Sequence, residues 1–277
     1  MPEFKFFKNP AFWLFLTLTL IWLAFLSLPD NNLHLVFCQV GQGDANLITY
    51  RQTQILVDGG PDNSVLNCLA DNMPFWDRKI EMVLLTHPEA DHFTGLIEVV
   101  ERYQVDYLLL NPDLQVSTDG FRELKTLIDN YQIKNYAPKK GDKIEIDPVL
   151  MSFIWPPRNL VEFKNLNDSS LVFKLVFGQF EVLFLGDISS EIEDELEVDE
   201  VAVLKVAHHG SKFSTNESFL SKISPKIAVI CVGKNRFGHP HPDVLNRLLK
   251  QNVKTLRTDQ SEVEIISNGI DYQIASQ

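Results

Sequence analysis

Four side chains able to bind a metal fall within six residues of the segment THPEADH, Thr86 to His92: His87, Glu89, Asp91 and His92. The segment follows the short apolar run EMVLL, which has the length of a strand, so the four groups gather at one strand end. On an extended chain His87 and Glu89, two apart, point to the same side, whereas the adjacent Asp91 and His92 turn to different sides. One segment of this kind can feed two neighbouring metal ions. Compatible groups close three more apolar runs: Asp58 in ILVDGGP, Asp187 in EVLFLGD, and His208 with His209 in VLKVAHHG. An aspartate before glycine is by itself an ordinary turn residue, and a histidine pair is often half buried. The conjunction is what points to a metal site.

Such a set suits hydrolysis. Two divalent ions about 3.5–4 Å apart lower the pKa of water, hold a phosphate oxygen and neutralise charge on the leaving oxygen. Glu89, Asp91 and Asp187 make the set rich in carboxylate, which moves preference toward Mn2+ without excluding Zn2+. Asp91 or the metal-bound hydroxide is placed on the nucleophile side. On the other side the motif GHPHP, Gly238 to Pro242, supplies His239 and His241 between prolines. A protonated histidine there would bind phosphate or protonate the leaving group.

The elements that must position these groups alternate along the chain. Strands are expected over Leu33–Val40, Ala45–Tyr50 and Thr53–Asp58, the last two joined by a tight turn near Arg51 and Gln52. A helix from about Val65, the strand Glu81–Thr86, a helix Thr94–Tyr103, the strand Asp106–Asn111 and a helix Phe121–Tyr131 follow. Strands at Lys143–Ile146, Leu150–Trp155, Ser170–Phe177 and Glu181–Asp187 precede an acidic run, Glu191–Glu200, read as a solvated helix face. Then come the strand Ala202–His209, a helix Glu217–Ile223, the strand Lys226–Val232, a helix Pro242–Gln251 and two terminal strands, Lys254–Thr258 and Glu262–Ser267. Polar motifs at strand ends, in two halves of strands and helices, imply a layered α/β sandwich.

Composition bounds the partners. The 277 residues carry a formal charge of -12, which argues against a general nucleic-acid coat, and 45% are hydrophobic, ample for a packed core. Yet Val201–Thr258 holds ten basic residues against only Glu217 and Asp243, a local excess of +8 that leaves -20 elsewhere. Lys212, Lys234, Asn235 and Arg236 flank the histidine motifs and offer a landing surface for phosphate. Ala11–Pro29 has no charge over 19 residues, enough to span about 30 Å of hydrocarbon, and lacks a small-x-small cleavage site near Ser27. It reads as an uncleaved membrane anchor. Lys5 and Lys8 precede it and Asp30 follows, placing residues 1–10 in the cytoplasm and the body, residues 31–277, outside it. Cys38, Cys68 and Cys231 have no C-x-x-C spacing and read as buried thiols.

The series ILVDGGP, THPEADH, LGDI and AHHGS resembles the metallo-beta-lactamase fold with its H-x-[HDE]-x-D-H signature. More narrowly, VGQGDANLI, NDSSLV, LKVAHHGSKFST and GKNRFGHPHPDVL resemble the extracytoplasmic hydrolase domain of ComEC-type DNA-uptake competence proteins, in the same order and over nearly all of the chain after Leu33. The resemblance implies an αββα sandwich, two mixed sheets flanked by helices, with a dinuclear site at one edge acting on phosphodiesters. It implies His87 and Glu89 at the first metal, Asp91 and His92 at the second, Asp187 bridging, and His208 completing the second site with His209 as the alternative one position on. Asp58 would orient the site from behind. The third motif departs from the fold's usual histidine and offers Asn167, Asp168, Ser169 and Ser170, so Asn167 or Asp168 is the alternative ligand there. Gln42 and Asp44 in VGQGDA would border the cleft, and Ser169, Ser211, Lys212, Asn235 and Arg236 would face substrate.

These expectations converge on a membrane-anchored, metal-dependent phosphodiesterase or nuclease that acts on single-stranded DNA outside the cytoplasm. Having a single apolar span, the chain is expected to rely on a separate channel protein to conduct DNA. The alternatives are an esterase for a small phosphodiester, such as a phosphocholine or wall-polymer unit, and a degenerate domain that captures DNA or a partner without hydrolysis.

Overall fold

Leu33, Leu35 and Phe37 face one side of the first strand and Val36 the other, and all four are buried, so this strand is covered on both faces. The computed structural model describes residues 9–26, 29–111, 116, 118–159, 163 and 165–275, in two units, Met1–Asn31 and Asn32–Gln277. In the second unit an eight-stranded sheet has the order β15-β14-β1-β2-β3-β4-β5-β6. Its strands are β1 (Leu33–Phe37), β2 (Asn46–Tyr50), β3 (Thr53–Val57), β4 (Lys79–Leu84), β5 (Gln104–Leu109), β6 (Lys134–Tyr136), β14 (Val263–Ser267) and β15 (Tyr272–Ala275). A seven-stranded sheet has the order β13-β12-β11-β10-β9-β8-β7. It comprises β7 (Lys143–Ile146), β8 (Val149–Trp155), β9 (Val172–Phe177), β10 (Phe180–Phe184), β11 (Val203–Lys205), β12 (Ile227–Ile230) and β13 (Lys254–Arg257).

Both sheets are mixed in the same way. Antiparallel hairpins occupy one half, and parallel pairing, β3 to β6 and β10 to β13, occupies the other. Between the sheets lies the central core, where Phe173 stacks on Phe184 at 4.7 Å and Phe184 on Phe37 at 6.2 Å. Helices α2 (Val65–Asn72), α3 (Ala90–Arg102) and α4 (Asp119–Asn130) cover the outer face of the first sheet. The outer face of the second sheet packs on α6 (Glu217–Ile223) and α7 (Pro242–Lys250), and a single turn, α5 (Ser190–Glu193), lies between β10 and β11. The result is the expected αββα sandwich. Its parallel strands all end toward one edge, and there the backbone N–H of Leu171, just before β9, donates to the Thr86 carbonyl after β4, joining the two sheets.

Several expectations change. Helix α3 begins at Ala90 rather than Thr94, because the Glu89 carbonyl accepts from both His92 N and Phe93 N. Asp91 therefore lies in the first turn of a helix, where the dipole favours a carboxylate. Strand β6 shows no apolar pattern because all three of its residues are exposed, and β15 is a four-residue edge strand beyond the expected terminal pair. The acidic run is not a solvated helix face: only Ser190–Glu193 is helical, and Glu193 is buried, accepting from the backbone N–H groups of Thr215 and Asn216. Cys38 and Cys68 are not thiols but a disulfide that ties the segment after β1 to α2. Cys231 is the buried thiol expected.

In the first unit, α1 (Pro10–Leu26) is started by Asn9, whose Oδ1 accepts from Ala11 N at 2.9 Å, and by proline in the first turn. The Thr17 and Thr19 hydroxyls donate back to the carbonyls of Trp13 and Phe15, leaving a helix apolar on all sides. Its 17 residues rise about 26 Å. Among the described residues no helix is long and apolar enough to cross a membrane. The expected anchor over 11–29 includes residues 27 and 28, and the expected cytoplasmic tail includes residues 1–8 with Lys5 and Lys8, all of which lie outside the described residues.

Candidate metal centre

Asp58 follows β3 in a left-handed conformation, φ 62°, which aims its buried carboxylate across to the end of the neighbouring parallel strand β4. There its Oδ1 accepts from Thr86 N at 2.7 Å and its Oδ2 accepts from Thr86 Oγ1 at 2.8 Å and His92 Nδ1 at 2.9 Å. These bonds assign the protons. His92 carries hydrogen on Nδ1; Thr86 gives its own hydrogen to Asp58 and so accepts from His87 Nδ1 at 3.1 Å. His209 Nδ1 donates to the Cys231 carbonyl at 2.9 Å. In all three imidazoles Nδ1 is engaged with a protein oxygen, so Nε2 is the atom left to bind a metal in place of a proton, and each Nε2 is buried without a hydrogen-bond partner among the described residues.

Those Nε2 atoms converge on Asp187, which follows β10. Its backbone N–H donates to Ser170 Oγ at 3.0 Å, and its Oδ2 lies 3.4 Å from His92 Nε2 and 3.3 Å from His209 Nε2. Asp187 Oδ1 is also buried and lacks a hydrogen-bond partner. His87, His92 and Asp187 have ligating atoms within 4.8 Å of one another, and so do Asp91, His92 and His209. Asp91 Oδ2 is 3.3 Å from His209 Nε2. The orphaned nitrogens and the mixed imidazole–carboxylate donors fit divalent cations.

His209 enters this cluster and His208 does not. Strand β11 ends at Lys205, and the chain then turns through His208, His209 and Gly210 with φ values of 50°, 52° and 78°. Alternation along a strand no longer decides which side chain points inward once the backbone is left-handed. His209 is buried in the cluster, while His208 lies sideways, with Asn167 Nδ2 3.4 Å from its Nε2 and its ring 5.6 Å from that of His239.

Sequence reasoning missed the part played by Lys205. It counted toward the basic surface, yet its side chain is 1% exposed, ion-paired with Asp44 and 3.8 Å from Asp187 Oδ1. Asp44 is likewise buried, beneath the cluster rather than at the cleft border, and its Oδ1 is 3.3 Å from His209 Nδ1. Gly43 makes this possible: a Cβ there would sit 2.2 Å from the Asp91 carbonyl, to which Asp44 N donates. Burial works against the charge on Asp44, but Lys205, His209 and His92 outweigh it and hold its carboxyl at about 2. Burial likewise opposes the charge on His209, and Asp187, Asp44 and Asp91 overcome it to lift the imidazole to about 10. His87, buried and repelled by His92, falls to about 3. The surplus of carboxylate is the charge a divalent cation would neutralise.

Other expected residues take different positions. Glu89 is half buried at the start of α3 and is not within the 4.8 Å clusters; burial, then Asp91 and Asp187, push its carboxyl up. Asn167 Oδ1 is buried and without a hydrogen-bond partner among the described residues, so it remains available beside His208. Asp168 is engaged elsewhere, accepting from Ser189 N and Asn165 Nδ2, and the Ser169 hydroxyl donates to the Leu166 carbonyl. Gln42 Oε1 accepts from Gly233 N at 3.4 Å, joining two loops, and Ser211 Oγ lies in its own turn, accepting from Phe213 N. Asn235 is a staple rather than a substrate contact: its amide donates to the carbonyls of Gly233 and His239 and accepts from Phe237 N and His239 N. His241 caps α7, its Nδ1 accepting from Asp243 N. His239 has a buried Nδ1 without a hydrogen-bond partner; burial, then His208 and His209, hold it at about 4, so it is neutral at pH 7 and not the imidazolium expected. Lys212 and Arg236 are exposed.

This chain is similar to ComE operon protein 3 of Bacillus subtilis (strain 168), at 29% identity over an alignment of 248 residues that covers 80% of this chain and 31% of that protein. Competence protein ComA of Neisseria gonorrhoeae is 26% identical over an alignment of 245 residues that covers 85% of this chain and 32% of that one. The chain thus spans about a third of the length of these relatives, and the ComEC-type resemblance read from its motifs holds along most of its own length. Among solved structures, the metallo-beta-lactamase fold protein YhfI of Bacillus subtilis aligns with a TM-score of 0.56 at 13% identity, over 82% of this chain and 96% of that one. A diphosphatase of the PhnP family aligns with a TM-score of 0.53 at 16% identity, over 85% and 98% of the two chains. At such identities the likeness is one of fold. The metallo-beta-lactamase superfamily model matches residues 38–234, a span that holds the whole histidine–aspartate cluster, and the chain belongs to that superfamily.

Proposed function

We propose that this protein is a metal-dependent phosphodiesterase that cleaves nucleic acid outside the cytoplasm. The observation that carries the reading is the convergence of three unpartnered Nε2 atoms, from His87, His92 and His209, on the Asp187 carboxylate. His87, His92 and Asp187 would hold one cation, and Asp91, His209 and the shared Asp187 a second. Glu89, whose carboxyl feels Asp91 and Asp187, and Asn167, whose Oδ1 has no hydrogen-bond partner among the described residues, would be further donors for the first ion. When bound, a pair of Mn2+ or Zn2+ ions supplies Lewis acidity at a phosphate oxygen and an activated water.

The chain's own residues do the positioning. Asp58 fixes the His92 tautomer, Ser170 holds Asp187 through its backbone, and Lys205 balances Asp44 beneath the cluster. His239, neutral, is suited to hydrogen-bond a phosphate or leaving-group oxygen. The exposed Lys212, Lys234 and Arg236 attract a polyanion to the rim.

The compartment is supported by the Cys38–Cys68 disulfide, since such bonds persist in oxidising surroundings, and by the uniformly apolar α1 as a membrane anchor. DNA as substrate, and a separate channel as partner, rest on the competence relatives. The test is cleavage of labelled single-stranded DNA by the full chain with Mn2+ or Zn2+. Asp91→Asn and Asp187→Asn should each abolish it, and wild-type rates in either variant would refute the reading.

A further inference from the structure

Two phenylalanines stand in water on the loops that adjoin the site histidines, Phe213 after His209 and Phe237 before His239. Phe213 is 64% exposed and Phe237 is 63% exposed, and each has a cation over its ring: Lys212 Nζ at 4.8 Å and Arg236 Cζ at 5.8 Å. Single exposed apolar side chains are common on protein surfaces. What sets this pair apart is the bracing of the loops that present them. Arg247 donates to the carbonyls of Lys212, Ser214 and Thr215, Glu193 accepts from the N–H groups of Thr215 and Asn216, and the Phe213 carbonyl accepts from Ser190 N. The Phe237 loop is stapled by the four bonds of Asn235.

Both loops lead out of the cluster. The first continues directly from His209, and the second returns through His239 to Pro240, which would meet a Cβ on Gly210 at 2.7 Å. Ring contacts step outward from His209 to His208 at 6.2 Å, to His239 at 5.6 Å and to Phe237 at 5.8 Å. Rigid loops that hold flat apolar rings in solvent, with cations beside them and a hydrolytic cluster behind, match the requirements of one ligand chemistry. Unpaired bases stack on the rings while the adjacent charges meet the phosphates. In a duplex the base faces are already covered.

We propose that Phe213 and Phe237 are stacking platforms on which unpaired bases of the substrate rest as they approach the site. The proposal rests on the phosphodiesterase reading for its location, but it is tested apart from hydrolysis. Binding of a labelled oligothymidylate to the full chain is measured by fluorescence anisotropy in chelator, beside an abasic oligomer of equal length and charge. Wild type should prefer the base-bearing strand about tenfold or more, Phe213→Leu and Phe237→Leu should each weaken that binding about 5- to 100-fold, and Phe213→Trp and Phe237→Trp should retain it. Thermal melts verify that each variant is folded.

Equal binding of the two oligomers by wild type, or wild-type affinity in the leucine variants, would overturn the proposal and leave the rings as a protein-facing or merely exposed surface. Hydrolysis of a small aryl phosphodiester by the wild-type chain with Mn2+ is read separately. Its absence would sink the phosphodiesterase reading while the stacking result stood.

Discussion

With Nδ1 of His87, His92 and His209 each bonded to a protein oxygen, the site depends on which histidine presents Nε2, and that makes single substitutions informative. His209→Ala should lose bound metal, whereas His208→Ala should keep it, as measured by metal content of the purified variants. Asp58→Asn keeps the shape but removes the charge behind His92, and should weaken metal affinity or activity about 10- to 100-fold. Lys205→Met removes the nearest counter-charge of the buried Asp44 and should cost about 3–5 kcal/mol of stability in a denaturant titration. At this scale the sequence names segments that the fold brings together but not every atom. THPEADH is legible because its ligand types are dense. The choice of His209 over His208 is not, because it is made by two left-handed residues after the strand has ended. Glu89 stands in the field of the site but outside its closest groups; Glu89→His should shift preference toward zinc if its carboxylate ligates, and unchanged selectivity would give it a supporting role.

Between residue and molecule, the loops are held by pairings that local pattern cannot reveal. The disulfide closes a separation of 30 residues and anchors the segment leading to Asp44; its two cysteines look like isolated thiols until β1 and α2 are packed together. Cys38→Ser should lower unfolding stability by about 2–4 kcal/mol, and an unchanged denaturation midpoint would show that the bond adds nothing. Glu193, similarly, is legible only as one of a run of acids, yet α5 buries it under the Phe213 loop. Burial, eased in part by the Asn216 and Thr215 N–H groups, lifts its carboxyl from 4.5 to about 7. An acid whose pKa is raised on folding has its full stability below the unfolded value and loses it as pH rises through the folded one. Relative to Glu193→Gln, the wild-type chain should therefore lose stability between about pH 4.5 and 7, by on the order of 3 kcal/mol. A parallel pH profile for the two proteins would contradict this. The helices and central strands are legible because their apolar periodicities are strong, whereas β6 and β15 are edge strands with little to bury.

For the molecule as a whole, an acidic chain of net charge -12 carries its excess of positive residues in one segment, and the fold narrows what that segment offers. Lys205 is buried, Lys222 donates to the Leu196 carbonyl, Arg247 braces a loop and Arg257 pairs with Asp259, so the rim is served chiefly by Lys212, Lys234 and Arg236. With so few phosphate contacts, affinity for single strands should fall with salt at a modest slope of about -2 in a log–log plot. A slope near zero would favour a small phosphodiester over a polymer. The sandwich itself is legible because strands and helices alternate in two halves, and the common edge of the parallel strands explains why ligands distant in sequence meet. The most direct test of the central claim is the divalent metal bound per folded chain after reconstitution with Mn2+ or Zn2+. The account predicts two equivalents for wild type, falling by at least one in Asp187→Asn; fewer than one equivalent in wild type, or no change in the variant, would contradict it.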